Sequence, residues 1–157
     1  MKWFDNFINR PIVKILRLDK EEEYEPYQPY AIFLMFDTIA GLLVSIINDG
    51  NSIQIGAANL TEVYEDYGIE FNETILNELK LDDELNMFVG QSIKKIKVGI
   101  YDSDEIKGDT FIMKQGKYAG VIIVTDKNKF TFYNDLGRHL YIDDEIQFPN
   151  SKRWTLT

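Results

Sequence analysis

Two segments of the chain carry residue types that could bind a metal ion. The run Asp102-Ser103-Asp104-Glu105 begins like a calcium-binding loop, in which alternating carboxylates ligate the ion. Lys107 stands at the sixth position, where such a loop requires glycine, and no glutamate follows at the twelfth. His139 is the one histidine, and cysteine is absent, so zinc lacks a spaced set of His and Cys ligands. We therefore predict no metal and no cofactor, and we place His139 on the surface of a strand.

The dipeptides Asp37-Thr38 and Asp109-Thr110 could supply two carboxylates for acid–base chemistry. In aspartic proteases, a pair of carboxylates shares one proton and activates water, and each belongs to an Asp-Thr-Gly segment. Here the residues that follow the two dipeptides are Ile39 and Phe111 instead of glycine. The chain also lacks glycine-rich phosphate loops and a thiolate nucleophile. The sequence therefore predicts a protein that is not an enzyme.

Acidic side chains are concentrated in one part of the sequence. The chain of 157 residues has 17 Lys and Arg against 26 Asp and Glu, and its net charge of −9 disfavours nucleic acid as a partner. Residues 19–86 hold two basic and sixteen acidic side chains, so this part carries the whole imbalance. Because like charges at this density repel one another, we interpret the acidic series as a docking face for a basic protein, with solubility as the alternative. The predicted partner-binding residues are Glu62, Glu65, Asp66, Glu70, Glu73, Glu78, Asp82, Asp83 and Glu84.

Three short helices are predicted to carry these carboxylates, within a helical connection over residues 59–90. Asn59 is a suitable N-cap with Glu62 three residues later, and Gly68 ends this first helix of about residues 60–67. Apolar residues at helical spacing predict a second helix from an Asn72 cap to residue 79, and a third from an Asp82 cap to residue 90.

Strand patterns lie on both sides of this connection. After residue 90 the predicted strands cover Gln91–Tyr101, Thr110–Met113, Tyr118–Thr125, Lys129–Tyr133 and Arg138–Ile142. Turn chemistry at residues 114–117 and 126–128 joins them into an antiparallel meander. The tyrosine-rich segment 24–30 is either an exposed recognition loop or a loop packed over a sheet.

The most apolar stretch, residues 30–47, approaches the ~20 residues that a membrane-spanning helix needs. Asp37 would lie inside the hydrocarbon, and the preceding segment is acidic instead of carrying basic anchors. We therefore predict two buried strands with a turn near Asp37 and Thr38, and no membrane partner. The N-terminus lacks the pattern of a secretory signal, so we expect a cytoplasmic protein.

The sequence resembles itself at two offsets. At an offset of 81, residues 4–15 match residues 85–96, with Asn9 opposite Gly90, the residue types that best tolerate a left-handed helix end. At an offset of 86, residues 43–49 match residues 129–135, and each block leads through a turn into a further strand. We predict an α+β fold: two degenerate antiparallel β-meander repeats flanking a short acidic helical segment. The chain is expected to form a single domain over residues 1–157, with repeat-like halves 1–58 and 82–148.

Two segments carry a resemblance to a known class of proteins. The first reads Phe88-Val89-Gly90-Gln91-Ser92-Ile93-Lys94-Lys95-Ile96, and a hairpin then closes with Phe130-Thr131-Phe132-Tyr133-Asn134-Asp135. The pattern resembles the small acidic immunity proteins that bacteria carry beside polymorphic or contact-dependent toxins. The resemblance implies stoichiometric inhibition, with an acidic surface laid over the basic cleft of a toxin such as a nuclease.

Two functions therefore compete. The first is a toxin-neutralising inhibitor that binds a basic toxin domain. The second is a non-enzymatic structural or regulatory binding module, such as a phage or assembly protein, that pairs an exposed sheet edge with a partner strand. The first predicts binding that weakens with salt, whereas the second does not. The sequence leaves the oligomeric state open.

Overall fold

Strands dominate the fold in a computed structural model of the chain. The structure describes residues 3–20, 24–46, 53–63, 74–101, 115–118, 120–135, 138–144 and 152–156. Two 3₁₀ helices cover Trp3–Phe7 and Glu84–Phe88. The strands are β1 (Lys14–Lys20), β2 (Ala31–Met35), β3 (Gly41–Ile46), β4 (Ile53–Ala58), β5 (Thr74–Glu78), β6 (Ile93–Tyr101), β7 (Gln115–Tyr118), β8 (Gly120–Thr125), β9 (Lys129–Asp135), β10 (Arg138–Ile142) and β11 (Lys152–Leu156).

The strands form two antiparallel sheets. One has the order β5-β1-β2-β3-β4-β7 and the other the order β10-β9-β8-β6-β11. Antiparallel pairing is confirmed for the strands that the structure describes, but the α+β class is met only loosely. Within the described residues, helix is limited to residues 60–63 and the two 3₁₀ turns.

The two sheets repeat one strand order. In each sheet, a 3₁₀ helix precedes four strands that lie side by side in the order in which they occur in the chain. A later strand then pairs with the remaining edge of the first of these four. These five strands are β1 to β5 in one sheet and β6, β8, β9, β10 and β11 in the other. Strand β7 departs from this pattern because it follows β6 in the chain but pairs with β4.

The predicted helix ends occupy equivalent places in the two halves. Asn9 has a φ of 62° and Gly90 a φ of 92°, so both adopt the left-handed conformation that their residue types favour. The two segments also contact each other: the N–H of Asn9 donates to the carbonyl of Ile93 at 2.7 Å. An antiparallel bridge joins Pro11 to Ser92 beside this contact.

One apolar core draws on both sheets. In the first sheet, alternate residues such as Ile32 and Leu34 on β2 point into it, and in the second Phe130 and Phe132 on β9 do so. Burying a side chain of this size contributes about 1.5–3 kcal/mol, so the alternating pattern fixes which face of each sheet turns inward. The segment over residues 30–47 supplies β2 and β3 with bends at 37–39, as predicted. Among the described residues, no helix is long and apolar enough to cross a membrane.

A second apolar cluster covers the other face of the six-stranded sheet. Leu16, Leu18 and Phe33 lie there, and Val63 packs against them from the helical turn of residues 60–63. The predicted cap of this turn is confirmed, since Asn59 Oδ1 accepts the N–H of Glu62 at 2.8 Å and Asn59 Nδ2 donates to Glu62 Oε1 at 2.9 Å. The predicted continuation of this helix to residue 67, and its stop at Gly68, lie outside the described residues.

The other two predicted helices are wrong. Residues 74–78 form β5 instead of a helix, because they pair with β1, with Leu76 opposite Leu18. The strand with which they pair lies more than fifty residues earlier in the chain, so the local sequence of residues 74–78 does not indicate this pairing. The third helix is a single 3₁₀ turn, and its N-cap is Asp83 instead of Asp82. Its predicted apolar residues Leu85 and Phe88 are nevertheless buried.

Two predictions about the second meander also need correction. The sequence predicts a turn over residues 114–117, but residues 115–117 belong to β7, which pairs with β4 in the other sheet. The predicted strand over 118–125 is divided between β7 and β8. The bend at residues 126–128 is confirmed. The predicted strand over 110–113 lies outside the described residues.

Candidate functional site

The structure separates the predicted acidic residues into three groups. Four are exposed, namely Glu62, Glu78, Asp82 and Glu84. Asp83 is buried, with 5% of its surface exposed, so its assignment to a partner-binding face is wrong. The remaining four, Glu65, Asp66, Glu70 and Glu73, lie outside the described residues.

Asp83 is buried because it binds Arg17, which lies on the inward face of β1. Arg17 is fully buried, and its Nη1 donates to Asp83 Oδ2 at 2.9 Å. Its Nε and Nη2 donate to the carboxylate of Asp19, at 2.9 and 2.5 Å to Oδ1. The remaining N–H groups donate to the carbonyls of Glu25 and Pro26, at 2.5 and 3.3 Å. All five guanidinium N–H groups therefore have acceptors, which a buried arginine requires.

Two carboxylates hold the charge of Arg17 in place. Burial acts to lower the pKa of Arg17, but hydrogen bonding and attraction to Asp19 outweigh it, and the pKa is raised above its ordinary value. Asn77 of β5 donates to Asp19 Oδ2 at 2.9 Å. We define the Arg17 cluster as Arg17, Asp19, Asp83 and Tyr24. It joins β1 to the second 3₁₀ helix through Asp83, and to β5 through the bond from Asn77 to Asp19.

Tyr24 links this cluster to the turn that follows β5. Its hydroxyl donates to Asp83 Oδ2 at 2.6 Å and accepts the N–H of Lys80 at 3.0 Å, while its ring lies 4.0 Å from the guanidinium carbon of Arg17. Burial and the bond to Asp83 raise the pKa of Tyr24 to about 12. The neutral phenol is therefore part of the folded arrangement.

The turn itself, residues 80–84, is the feature that we call the acidic turn. The carbonyl of Lys80 accepts the N–H of Asp83 at 3.0 Å and Nδ2 of Asn86 at 2.7 Å. Asp83 also accepts the N–H of Leu85 at 2.9 Å, which caps the 3₁₀ helix. These bonds fix the backbone on both sides of residues 81 and 82. Leu81 is fully exposed at 102%, and the neighbouring Asp82 is exposed as well.

The other exposed carboxylates differ in how far they are engaged. Glu84 accepts a hydrogen bond from the hydroxyl of Tyr27, which raises the pKa of that phenol. Glu78 pairs with Lys14 at 2.5 Å, and this bond lowers the pKa of Glu78. Glu62 serves in the cap with Asn59. Of the four predicted carboxylates that are described and exposed, that of Asp82 on the acidic turn is therefore the most available.

The loop of residues 24–30 packs against strand β10. Of its two predicted states, an exposed loop or a loop packed over a sheet, the structure has the packed one. The carbonyl of Tyr27 accepts the N–H groups of His139 and Leu140 at 2.8 and 3.1 Å, so the loop covers part of the β10 edge. Nδ1 of His139 lies 3.0 Å from the carbonyl of Pro29. His139 thus lies on a strand, as predicted, but is half-buried beneath this loop. Arg138 lies over the ring of Tyr27 at 4.5 Å.

The other segments considered for chemistry gain no support as sites. Asp37 is exposed and pairs with Arg10 at 3.2 Å. Its predicted counterpart Asp109 and the calcium-like run over 102–105 lie outside the described residues. Among the residues that are described, no group of three or more His, Asp or Glu could hold a metal ion.

Sequence reasoning missed Arg17, the centre of the polar cluster. Its strand reads Lys14-Ile-Leu-Arg17-Leu-Asp19-Lys, and alternation places Arg17 and Asp19 on the same face as the buried Ile15. Two opposite charges on an inward face were therefore the available signal. At the offset of 81, Arg17 is matched by the buried Val98, so the second half has no arginine at the equivalent position. Comparison with family models, with curated proteins and with solved structures finds no match for this chain.

Proposed function

We propose that the chain is a stoichiometric protein-binding inhibitor, an immunity protein that neutralises a toxin whose active-site cleft is basic, as in a nuclease. The observation that carries this proposal is the acidic turn. Its exposed residues are Lys80, Leu81, Asp82 and Glu84, while Asp83 is buried against Arg17. A buried carboxylate thus holds a surface on which acidic side chains point outward.

The charge of the chain supports a basic partner. With a net charge of −9, the protein attracts positively charged proteins over distances near the ~10 Å Debye length at moderate salt. Such complementarity accelerates encounter and rejects partners of the wrong sign. A toxin that binds nucleic acid has a basic cleft, which an acidic surface could cover.

The proposal includes no catalysis by this chain. The oxygens of Asp83 accept hydrogen bonds from Arg17, Tyr24 and the backbone of Leu85, so this buried carboxylate is fully engaged. Asp37 is exposed and paired with Arg10. The carboxylates that remain exposed on the acidic turn suit binding.

Strand addition at a sheet edge is the alternative, and the edges give it less support. As far as the structure describes them, the terminal strands β5, β7, β10 and β11 have four or five residues. Short edge strands are a device by which proteins avoid pairing with other chains. The 24–30 loop also covers part of the β10 edge through the carbonyl of Tyr27.

Affinity capture at two salt concentrations tests the proposal. The tagged chain is used to capture proteins from a lysate of its native cells, and mass spectrometry identifies what co-purifies. We expect one basic protein in near-stoichiometric yield, with less of it at high salt. Recovery of only structural proteins, or a yield that salt does not change, would favour strand addition instead.

A further inference from the structure

We propose that Leu81 is the apolar anchor of the interface, and that it inserts into a pocket of the partner bordered by Lys or Arg side chains. This inference rests on the proposed function and names the residue that would contribute most to the contact. Leu81 is fully exposed at 102%, and on its C-terminal side the exposed Asp82 follows directly.

The backbone around Leu81 is held in advance of binding. Asp83 and Asn86 both donate to the carbonyl of Lys80, and the N–H of Lys80 donates to the hydroxyl of Tyr24. Because this hydroxyl also donates to the buried Asp83, the turn is tied to the Arg17 cluster. A side chain presented on a fixed turn loses less conformational freedom on binding, and this pre-organisation increases affinity.

The charges around Leu81 indicate which kind of protein binds there. The exposed Asp82 and Glu84 follow Leu81 on its C-terminal side, and the exposed Lys80 precedes it, with its ammonium group 4.4 Å from the centre of the Tyr24 ring. Beside the apolar Leu81, the exposed side chains of the turn carry two negative charges and one positive charge, so their balance is negative. A second copy of this chain would bring another net charge of −9 to the same contact, which repulsion disfavours. A positively charged protein fits both features.

The test compares two exposed aliphatic side chains on different turns. Ile39 is 92% exposed between β2 and β3, close to the acidic Asp37, and serves as the matched control. The tagged wild type, Leu81→Ser and Ile39→Ser are used for parallel capture from the native lysate. The protein captured by the wild type is then purified, and its dissociation constant for each variant is measured by calorimetry.

We expect Leu81→Ser to weaken binding about tenfold or more, as truncation of an interface anchor does, and Ile39→Ser to leave it unchanged. Circular dichroism and urea unfolding check that both variants fold as the wild type does. Equal affinity for the wild type and Leu81→Ser would overturn the anchor while the inhibitor proposal stands. Equal loss in both variants would also overturn it, because it indicates non-specific apolar adhesion.

Two further outcomes separate the anchor from the proposed function. If the wild type captures no basic partner, the proposed function fails and the anchor fails with it. If sedimentation shows that the wild type self-associates and that Leu81→Ser abolishes this, the occupant is a second copy, and the basic-partner assignment is overturned.

Discussion

The Nη1 group of Arg17 on β1 donates a 2.9 Å hydrogen bond to Oδ2 of Asp83, which caps the second 3₁₀ helix 66 positions later. Both side chains are nearly inaccessible to solvent, at 0% and 2%. This pair joins the first sheet to the turn that displays Leu81 and Asp82. A bond in the interior therefore fixes a surface that we propose for binding.

Replacing Asp83 tests the importance of this pair for stability. Asp83→Ala removes the cap and one of the two carboxylates around Arg17, and we expect it to lower the free energy of unfolding by about 3–5 kcal/mol. Asp82→Ala is the matched control, since Asp82 is an exposed neighbour, and its effect should stay within about 0.5 kcal/mol. Urea unfolding of the two variants measures both values. Similar losses in the two variants would show that burial of Asp83 contributes little.

Tyr24 should make stability depend on alkaline pH. Its pKa in the folded protein is about 12, against 10.0 for an ordinary tyrosine, so the unfolded chain loses this proton first. The stability contributed by the neutral phenol is complete below about pH 10 and declines as the pH rises toward about 12. We expect Tyr24→Phe to reduce this decline, as measured by urea unfolding at a series of pH values. An unchanged pH profile would contradict the role of Tyr24 in the cluster.

Gly90 tests the equivalence of the two helix ends. A Cβ atom at Gly90 would meet nothing within 4 Å, so a substitution there acts through the backbone φ of 92° alone. We expect Gly90→Ala to destabilise the protein by about 1–2 kcal/mol, the cost of a left-handed L-residue. Gly90→Asn should cost clearly less, because asparagine tolerates this conformation, as Asn9 does with a φ of 62°. Thermal unfolding of both variants checks the order, and the reverse order would contradict it.

Local chemistry was enough to predict some of these elements. The left-handed positions of Asn9 and Gly90 depend on residue type, and the cap at Asn59 depends on a carboxylate three residues later. Strand β5 could not be predicted in this way, since its apolar spacing also fits a helix and the pairing with β1 decides the outcome.

The candidate site was predictable only in part. Asp82, Asp83 and Glu84 are three consecutive carboxylates, and a sequence does not show which of them faces inward. Arg17 selects Asp83 through a contact between distant segments, and Asp82 remains at the surface. The charge count therefore located the acidic turn, but the distinction between its exposed and structural carboxylates required the fold.

We propose that the exposed carboxylates of the acidic turn steer a basic partner to this surface. The most direct test is the association rate with the captured partner, measured by stopped-flow fluorescence at low and high salt. At low salt, Asp82→Lys with Glu84→Lys should slow association by about tenfold, and at high salt the difference should largely disappear. Asp37→Lys with Asp144→Lys changes the net charge equally at exposed positions elsewhere and should slow association much less. Equal rates for the two double variants at low salt would contradict the account.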